Sequence, residues 1–310
     1  MQQGQLSSGD VIADRRADYA KMLDESGDAA AAAELMDQAL ELTPHWAAGW
    51  FRLGEYRQKA GERSSAVKAY RRAIELDPQD IFGASLKLAL LDETPVPALP
   101  PSRYVERLFD DYASRFEASL IEKLEYSVPE KLADMIAKGG RTYELAVDLG
   151  CGTGLLGPKI KPLVAQLEGF DLSHNMLAKA AEKSVYDHLA QADLSRSLQE
   201  SGIFDNAGRA RADLITAADV LMYLGDLKAV FEIVASLAAD SADFAFSVED
   251  AGSQDGFRLA QSLRYAHSEA YVRSLCDSYG FHIVQHDRTV IRKDGGKSII
   301  GILFLARKVA

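Results

Sequence analysis

Cysteine is nearly absent: Cys151 and Cys276 are the only two among 310 residues. Two thiols make neither a disulfide framework nor a four-ligand zinc site, so no metal is expected. No apolar run approaches the roughly 18 residues needed to cross a bilayer, and residues 1–10 are polar, without the apolar centre of a signal peptide. The chain is therefore expected in the cytoplasm and away from membranes. Positive charge is short as well, since 35 Lys and Arg against 46 Asp and Glu leave a formal net charge of -11. Nucleic-acid affinity rests on clustered cations that neutralise phosphates, so no nucleic-acid partner is expected. The basic group Arg63, Lys68, Arg71 and Arg72 reads as the solvated face of a helix.

What is present divides in two. Hydrophobic residues make up 47% and charged residues 26% of the chain, ordinary for a globular protein, and the length admits two cores. The phrase Ala39-Leu40-Glu41-Leu42-Thr43-Pro44 returns as Ala73-Ile74-Glu75-Leu76-Asp77-Pro78, its prolines 34 positions apart. With Trp50, Leu53, Gly54, Ala66 and Tyr70, the second copy matches the tetratricopeptide pattern. Small residues let two helices approach, large ones fill the space beside them, and proline stops the second helix. The first copy keeps Tyr19, Ala20, Ala32, Met36 and Ala39 but lacks the tryptophan and glycine. One further helix over 81–91 would cap the stack. Two repeats offer either a concave surface for a protein partner or a structural prop or dimer contact.

Residues 94–101 hold four of the nine prolines and predict an extended connector. The expected divisions are a small all-α tetratricopeptide-repeat domain over 1–93, a Pro-rich linker over 94–101 and a second domain over 102–310. Residues 102–138 read as helical, with Tyr112 and Phe116 on an apolar face. From Glu144 onward short apolar strands alternate with helices. Strands are expected over 144–148, 165–170, 186–191, 213–217, 242–248, 281–287 and 298–306, and helices over 154–163, 174–183, 226–239 and 268–279. That alternation predicts an α/β, Rossmann-like, doubly wound and mostly parallel seven-stranded sheet. Arg292-Lys293-Asp294-Gly295-Gly296 reads as the turn of a terminal hairpin that makes one edge antiparallel. Residues 195–211, rich in Ser, Asn, Gly and charge, read as a surface excursion.

The stretch that organises the second domain is Val147-Asp148-Leu149-Gly150-Cys151-Gly152-Thr153-Gly154, a strand, a glycine turn and a helix. A dinucleotide fingerprint would continue with glycine at 155, where this chain has Leu155, so NAD and FAD are disfavoured. Ligands of open α/β sheets sit at the carboxyl ends of the strands. There the second strand ends in Asp171, a carboxylate suited to two vicinal ribose hydroxyls. The third ends in Asp193-Leu194, an acceptor for an adenine amino group, and the fourth in Ala217-Ala218-Asp219. A single acid after a strand is ordinarily a cap or turn residue, but four successive strand ends carrying acids or glycines call for another explanation. A ligand with a ribose, an adenine and a cationic centre but no phosphate fits them, and S-adenosyl-L-methionine has those features.

On these motifs, with Gly169-Phe170-Asp171-Leu172-Ser173 and Met176, residues 143–250 resemble a class I S-adenosylmethionine-dependent methyltransferase. With the repeats in front, the chain is similar to the bacterial group of such proteins that carry an N-terminal tetratricopeptide-repeat region. Phe109 to Phe116 and Arg264 to Ser268 look like further phrases of that group. The resemblance implies that Asp148, through water, and the backbone of Gly150, Cys151, Gly152 and Gly154 hold the methionine part of the cofactor. It assigns the ribose to Asp171, adenine packing to Leu172 and Met176, and the adenine amino edge to Asp193 beside Leu194. Ala218 and Asp219 complete the wall, Tyr112 and Phe116 close the pocket, and Arg115 pairs with the cofactor carboxylate or with a surface acid.

The sulfonium already activates the methyl group, so the protein must align a nucleophile in line with the methyl–sulfur bond and exclude water. An amine or phenol acceptor also needs a base, and His267 is the histidine nominated for it. The signature of amino methylation on nucleobases, Asn/Asp-Pro-Pro-Tyr/Phe, is missing after the fourth strand, in keeping with the acidic charge. The expected activity is methyl transfer to a small metabolite or a protein. The competing expectation is a non-catalytic cofactor-binding protein whose repeats form an interaction platform.

Overall fold

The computed structural model describes residues 6–113, 126–204, 208, 210–294 and 296–309. It divides into two compact units, Met1–Pro97 and Ala98–Ala310.

The first unit is built from α1 (Val11–Glu25), α2 (Ala29–Leu42), α3 (Ala47–Lys59), α4 (Arg63–Leu76) and the short α5 (Ala84–Leu90). Asp10 and Asp28 start the first two helices by accepting hydrogen bonds from the free backbone N–H groups of the first turn. The paired helices meet through small residues: Ala13, Ala17, Ala20, Ala32 and Ala39 are all buried. A Cβ at Gly54 would lie 2.5 Å from the ring of Tyr70. The close approach of α3 to α4 at that point therefore requires glycine. The cap helix begins later than 81 because the Asp80 carboxylate accepts from the N–H groups of Ala84 and Ser85.

The second unit contains α6 (Ser102–Tyr112), α7 (Val128–Lys138), β1 (Tyr143–Leu149), α8 (Gly157–Ile160), β2 (Val164–Asp171), α9 (His174–Glu182) and β3 (His188–Gln191). It continues with β4 (Ala212–Ala217), α10 (Lys228–Leu237), β5 (Ala238–Asp250), β6 (Phe257–Leu259), β7 (Tyr265–His267), α11 (Glu269–Ser278), β8 (Phe281–Asp294) and β9 (Lys297–Lys308). Strands β3-β2-β1-β4-β5 are parallel in that order, β9 runs antiparallel to β5, and β8 antiparallel to β9. The chain order reverses around β1, which lies between β2 and β4, and this is the switch point at which such sheets open a crevice.

Neighbouring residues of one strand serve opposite faces. Val147, Ile215 and Phe244 pack in one core with α10 and α11, whereas Ala146, Leu214 and Ala245 pack in another with α7 and α8. Burial on both sides explains why the strands read as short apolar runs.

The sheet has nine strands, two more than the pattern predicted. The additions, β6 and β7, are three residues each and too short to show a period. The helix expected over 154–163 is reduced to Gly157–Ile160 and a single 3-10 turn, Lys161–Leu163. Pro158 and Pro162 remove two of the backbone donors that a longer helix needs. Residues 195–211 do not lie wholly on the surface, since Leu198, Ser201 and Ile203 are buried. Arg292 is not in the turn: it lies within β8, past a register shift between Val290 and Arg292, and is buried.

Candidate active site

The glycine turn follows β1 with positive φ at Gly150 (65°), Gly152 (56°) and Gly154 (79°), a backbone course that costs residues with a Cβ about 1–2 kcal/mol each. A Cβ at Gly150 would meet Cγ2 of Val220 at 2.3 Å, whereas one at Gly152 would meet nothing within 4 Å. The turn therefore packs against the loop after β4 and presents bare backbone at Gly152. Beside it the hydroxyl of Thr153 is buried without a hydrogen-bond partner among the described residues.

Two adjoining cavities open where the strands end. The larger is lined by Asp148, Gly150–Thr153 and Asp171 and by Tyr126, Met222, Tyr223, Asp219, Arg264 and Arg292. The smaller is lined by Leu172, Ala192, Asp193, Leu194 and Ser195. Gly150, Asp171 and Phe109 border both. Helix α6 contributes Leu108 and Phe109, and the Phe109 ring meets the Tyr223 ring edge-on at 4.8 Å. The helix is fastened by Ser173, whose hydroxyl donates to the Asp110 carboxylate at 2.6 Å, and by Asn175, which donates to the Asp110 carbonyl.

Asp171 accepts one backbone N–H on each oxygen, from Gly152 and from Ser173, both at 2.9 Å. The Leu172 N–H also bonds to this carboxylate, whose four or so lone-pair sites still leave room for a further donor. Asp148 accepts the hydroxyls of Thr216 at 2.7 Å and Tyr186 at 2.8 Å. Burial pushes the Asp148 carboxyl up to about 6, against the lowering effect of its two hydroxyl donors, and nearby Asp171 adds to the rise. Asp171 is likewise pushed up to about 6, chiefly by burial, with Asp110 adding repulsion. Two carboxylates starved of water beside an apolar cavity are poised to accept donors and positive charge.

The lining of the larger cavity also includes Asp219 and Arg292, members of a buried ion network. Arg292 donates to both oxygens of Asp219 at 3.1 Å and to Glu249, and its own side chain is 1% exposed. Burial raises both acids above the usual carboxylate range while the guanidinium opposes that rise. Asp219 has a positive φ of 56°, and its N–H is bonded to the Ser247 hydroxyl.

Of the residues nominated from sequence, Asp148, Gly150, Cys151, Gly152, Asp171, Ala218 and Asp219 line the larger cavity, and Leu172, Asp193 and Leu194 the smaller. Asp193 also accepts from the N–H and hydroxyl of Ser195. Gly154 borders neither cavity; a Cβ there would strike Tyr186 at 2.9 Å. Met176 is buried outside both linings, and its N–H is capped by the Ser173 hydroxyl. Arg115 and Phe116 lie outside the described residues, as does the side chain of Tyr112.

His267 is not at the cavity. It is fully buried in β7, and Nε2 donates to the carbonyls of Leu224 at 2.9 Å and Gly225 at 3.0 Å. Burial pushes its pKa down to about 4, so the neutral ring serves as a brace for that loop rather than as a base at the acceptor. The sequence reading missed Tyr126, Thr153, Tyr186, Thr216, Tyr223, Arg264 and Arg292. Arg264 stood within a recognised phrase, but its place beside the cavity depends on a hairpin that shows no periodic pattern. Among the described residues, no group of three or more His, Cys, Asp or Glu is arranged to hold a metal. No helix among them is long and apolar enough to cross a membrane.

Residues 147–244 match the family model described as methyltransferase domain, and residues 47–80 match the tetratricopeptide repeat. The helical unit resembles the Hsp70-Hsp90 organizing protein of Triticum aestivum, 37% identical over 67 residues, which is 22% of this chain and 11% of that protein. The chain thus spans about a tenth of that relative's length. Among solved structures, a chain of the complex between the Haloferax volcanii Trm112 methyltransferase activator and its methyltransferase matches with a TM-score of 0.51. It is 15% identical, over 66% of this chain and 98% of that one. Magnesium protoporphyrin IX methyltransferase from Synechocystis PCC 6803, with bound SAH, matches at 22% identity and a TM-score of 0.44, over 59% of this chain and 82% of that one. The likeness to the first of these shows the α/β fold of the second unit.

Proposed function

We propose that this chain, which combines a methyltransferase domain with a tetratricopeptide repeat, transfers the methyl group of S-adenosyl-L-methionine to a small acceptor admitted into the larger cavity. The observation that carries this reading is the position of Asp171. Its carboxylate is fixed by the Gly152 N–H on the glycine turn and faces both cavities, where a ribose would join an adenine on one side to a methionine chain on the other.

The residues present fit that cofactor. Gly152 offers open backbone, Thr153 an unpaired buried hydroxyl, and Asp148 and Asp171 carboxylates that favour a cationic partner. In this reading Asp171 holds the ribose hydroxyls, Leu172 and Leu194 flank the adenine, and Asp193 accepts from its amino group. The turn from Gly150 to Thr153 and Asp148 hold the methionine part. The cofactor supplies a methyl group made electrophilic by its sulfonium.

The chain's own contribution is alignment and exclusion of water. Phe109 and Tyr223 close the side of the cavity facing α6, and Tyr126 and Met222 border the space left for the acceptor. Holding a nucleophile in line within such a space accounts for roughly 7–11 kcal/mol of barrier lowering in favourable systems. Asp219, bound on both oxygens by Arg292, belongs to the acceptor side rather than to the cofactor.

Calorimetric titration with S-adenosylmethionine tests the reading. The wild-type protein should bind, and Asp171→Ala should weaken binding at least about tenfold through loss of two charge-assisted bonds. Absence of binding by the wild type would overturn the proposal. Radiolabelled methyl transfer in a cell extract should place label in the small-molecule fraction; label only in protein would refute the small acceptor.

A further inference from the structure

We propose that Arg264 makes the acceptor end of the larger cavity a receptor for a carboxylate group, so that the methyl acceptor is a small apolar or aromatic carboxylic acid. This rests on the reading that the cofactor occupies the glycine-turn wall. What remains of the cavity is walled mainly by Leu108, Phe109, Met222 and the rings of Tyr126 and Tyr223. Three charged side chains break that apolar surface, and their states differ.

Arg292 is committed to Asp219 and Glu249, and those two acids are in turn committed to it. Arg264 is held more loosely. Its ion pair among the described residues is a single 3.4 Å contact to Asp294, whose side chain is 47% exposed. Exposed pairs of that kind contribute little and are easily exchanged. The Arg264 side chain is 23% exposed, and its guanidinium rests over the Tyr223 ring at 5.9 Å from the centroid. The Tyr223 hydroxyl takes one N–H of the guanidinium and Asp294 another, which fixes the plane of the group and leaves the remaining N–H donors of its five for a ligand. A planar fork largely removed from water, at the rim of an apolar space, matches a carboxylate bidentately. The same charge repels an ammonium group.

The backbone is arranged to hold Arg264 there. It sits in the connection between β6 and β7, where its carbonyl accepts from the Ala260 N–H at 2.8 Å. Three residues on, His267 ties β7 to the carbonyls of Leu224 and Gly225, directly after Tyr223. The hairpin added to the sheet thereby fixes both the guanidinium and the ring beneath it. Burial disfavours the charged form of Arg264, but Tyr223 and then Asp219 and Glu249 outweigh it, so the fork stays cationic.

The experiment uses three probes with one ring size, benzoate, benzamide and benzylammonium, titrated into the full chain saturated with S-adenosylhomocysteine. Benzoate should bind at least about tenfold more tightly than benzamide, with benzylammonium weaker still. Arg264→Gln should bring benzoate to within about twofold of benzamide while S-adenosylhomocysteine affinity, the control for folding, stays within about twofold of wild type. Arg264→Lys, which keeps the charge but loses the fork, should fall between them. Equal binding of benzoate and benzamide by the wild type, tighter binding of benzylammonium, or an unchanged benzoate preference in both variants would overturn the proposal. Failure of the wild type to bind S-adenosylhomocysteine would instead strike the cofactor reading, and the first titration reveals it separately.

Discussion

Tyr186 donates its hydroxyl to Oδ2 of Asp148 at 2.8 Å, from a ring lodged against three glycines. A Cβ at Gly154, Gly157 or Gly169 would come within 2.9 Å of that ring. The glycines therefore do two things: Gly150 and Gly152 shape the turn, while Gly154, Gly157 and Gly169 make room for the tyrosine that orients the acid beneath it. Tyr186→Phe removes one bond to a buried carboxylate, a loss of about 1–3 kcal/mol of stability. It also removes a group that holds the Asp148 pKa down. Affinity for S-adenosylmethionine should fall more at about pH 7 than at about pH 8.5, because more of Asp148 is protonated at the lower value. Titration at both pH values checks this; an equal loss at both would mean that the tyrosine only fills space.

Gly150 and Gly152 should separate stability from binding. Gly150→Ala drives a methyl group into Val220 at 2.3 Å on a backbone with φ 65°, costing about 1–3 kcal/mol for overpacking in addition to about 1–2 kcal/mol for the left-handed backbone. Gly152→Ala meets no atom within 4 Å, so only the backbone cost of about 1–2 kcal/mol applies. Its methyl group enters the space assigned to the cofactor, and the proportionally larger effect should be on affinity. Urea denaturation of both variants, paired with S-adenosylmethionine titration, should rank them in opposite orders.

Asp148 and Asp171 make binding depend on pH in a defined direction. Both are pushed up to about 6 from the ordinary carboxyl value of 3.8, so near pH 5 the folded chain holds protons that the unfolded chain has released. Their contribution to stability is full below about pH 3.8 and is lost as pH rises through about 6. A cationic cofactor favours the ionised carboxylates, so affinity should increase as pH rises through 6, and binding near pH 6 should release protons. Calorimetry in two buffers of different ionisation enthalpy measures that release; a value of zero would remove both carboxylates from contact with the cofactor's charge.

The parts legible in the sequence were those with a short repeat or a local conformational demand. The sheet was readable because both of its faces are buried, so each strand is an apolar run, and Asp171 because it ends such a run beside a left-handed glycine turn. The repeat was readable because Gly54 and Tyr70 occupy positions fixed by one helix pair. The wall proposed for the acceptor was not. Arg264 and Arg292 come from a three-residue strand's flank and from a bulged hairpin strand, and the latter meets Asp219 from 73 positions away. No period marks such a meeting. His267 shows the reverse error, since a histidine before a helix looks available until the fold places Leu224 and Gly225 against it.

The Arg292 network supplies the last test. Arg292→Met keeps much of the apolar stem but leaves Asp219 and Glu249 buried without their shared cation. Breaking a buried pair from one side typically costs about 3–5 kcal/mol, because the remaining charge has neither water nor partner. The loss should shrink as pH falls, since both acids already have raised pKa values and protonation relieves them. Adding Asp219→Asn and Glu249→Gln to Arg292→Met should restore most of the stability by removing the stranded charges while retaining side-chain volume. If urea denaturation gave the triple variant no advantage over Arg292→Met, the network would matter for shape and hydrogen bonding rather than charge. Recovery of stability without recovery of methyl transfer would assign the ionic arrangement to the acceptor site.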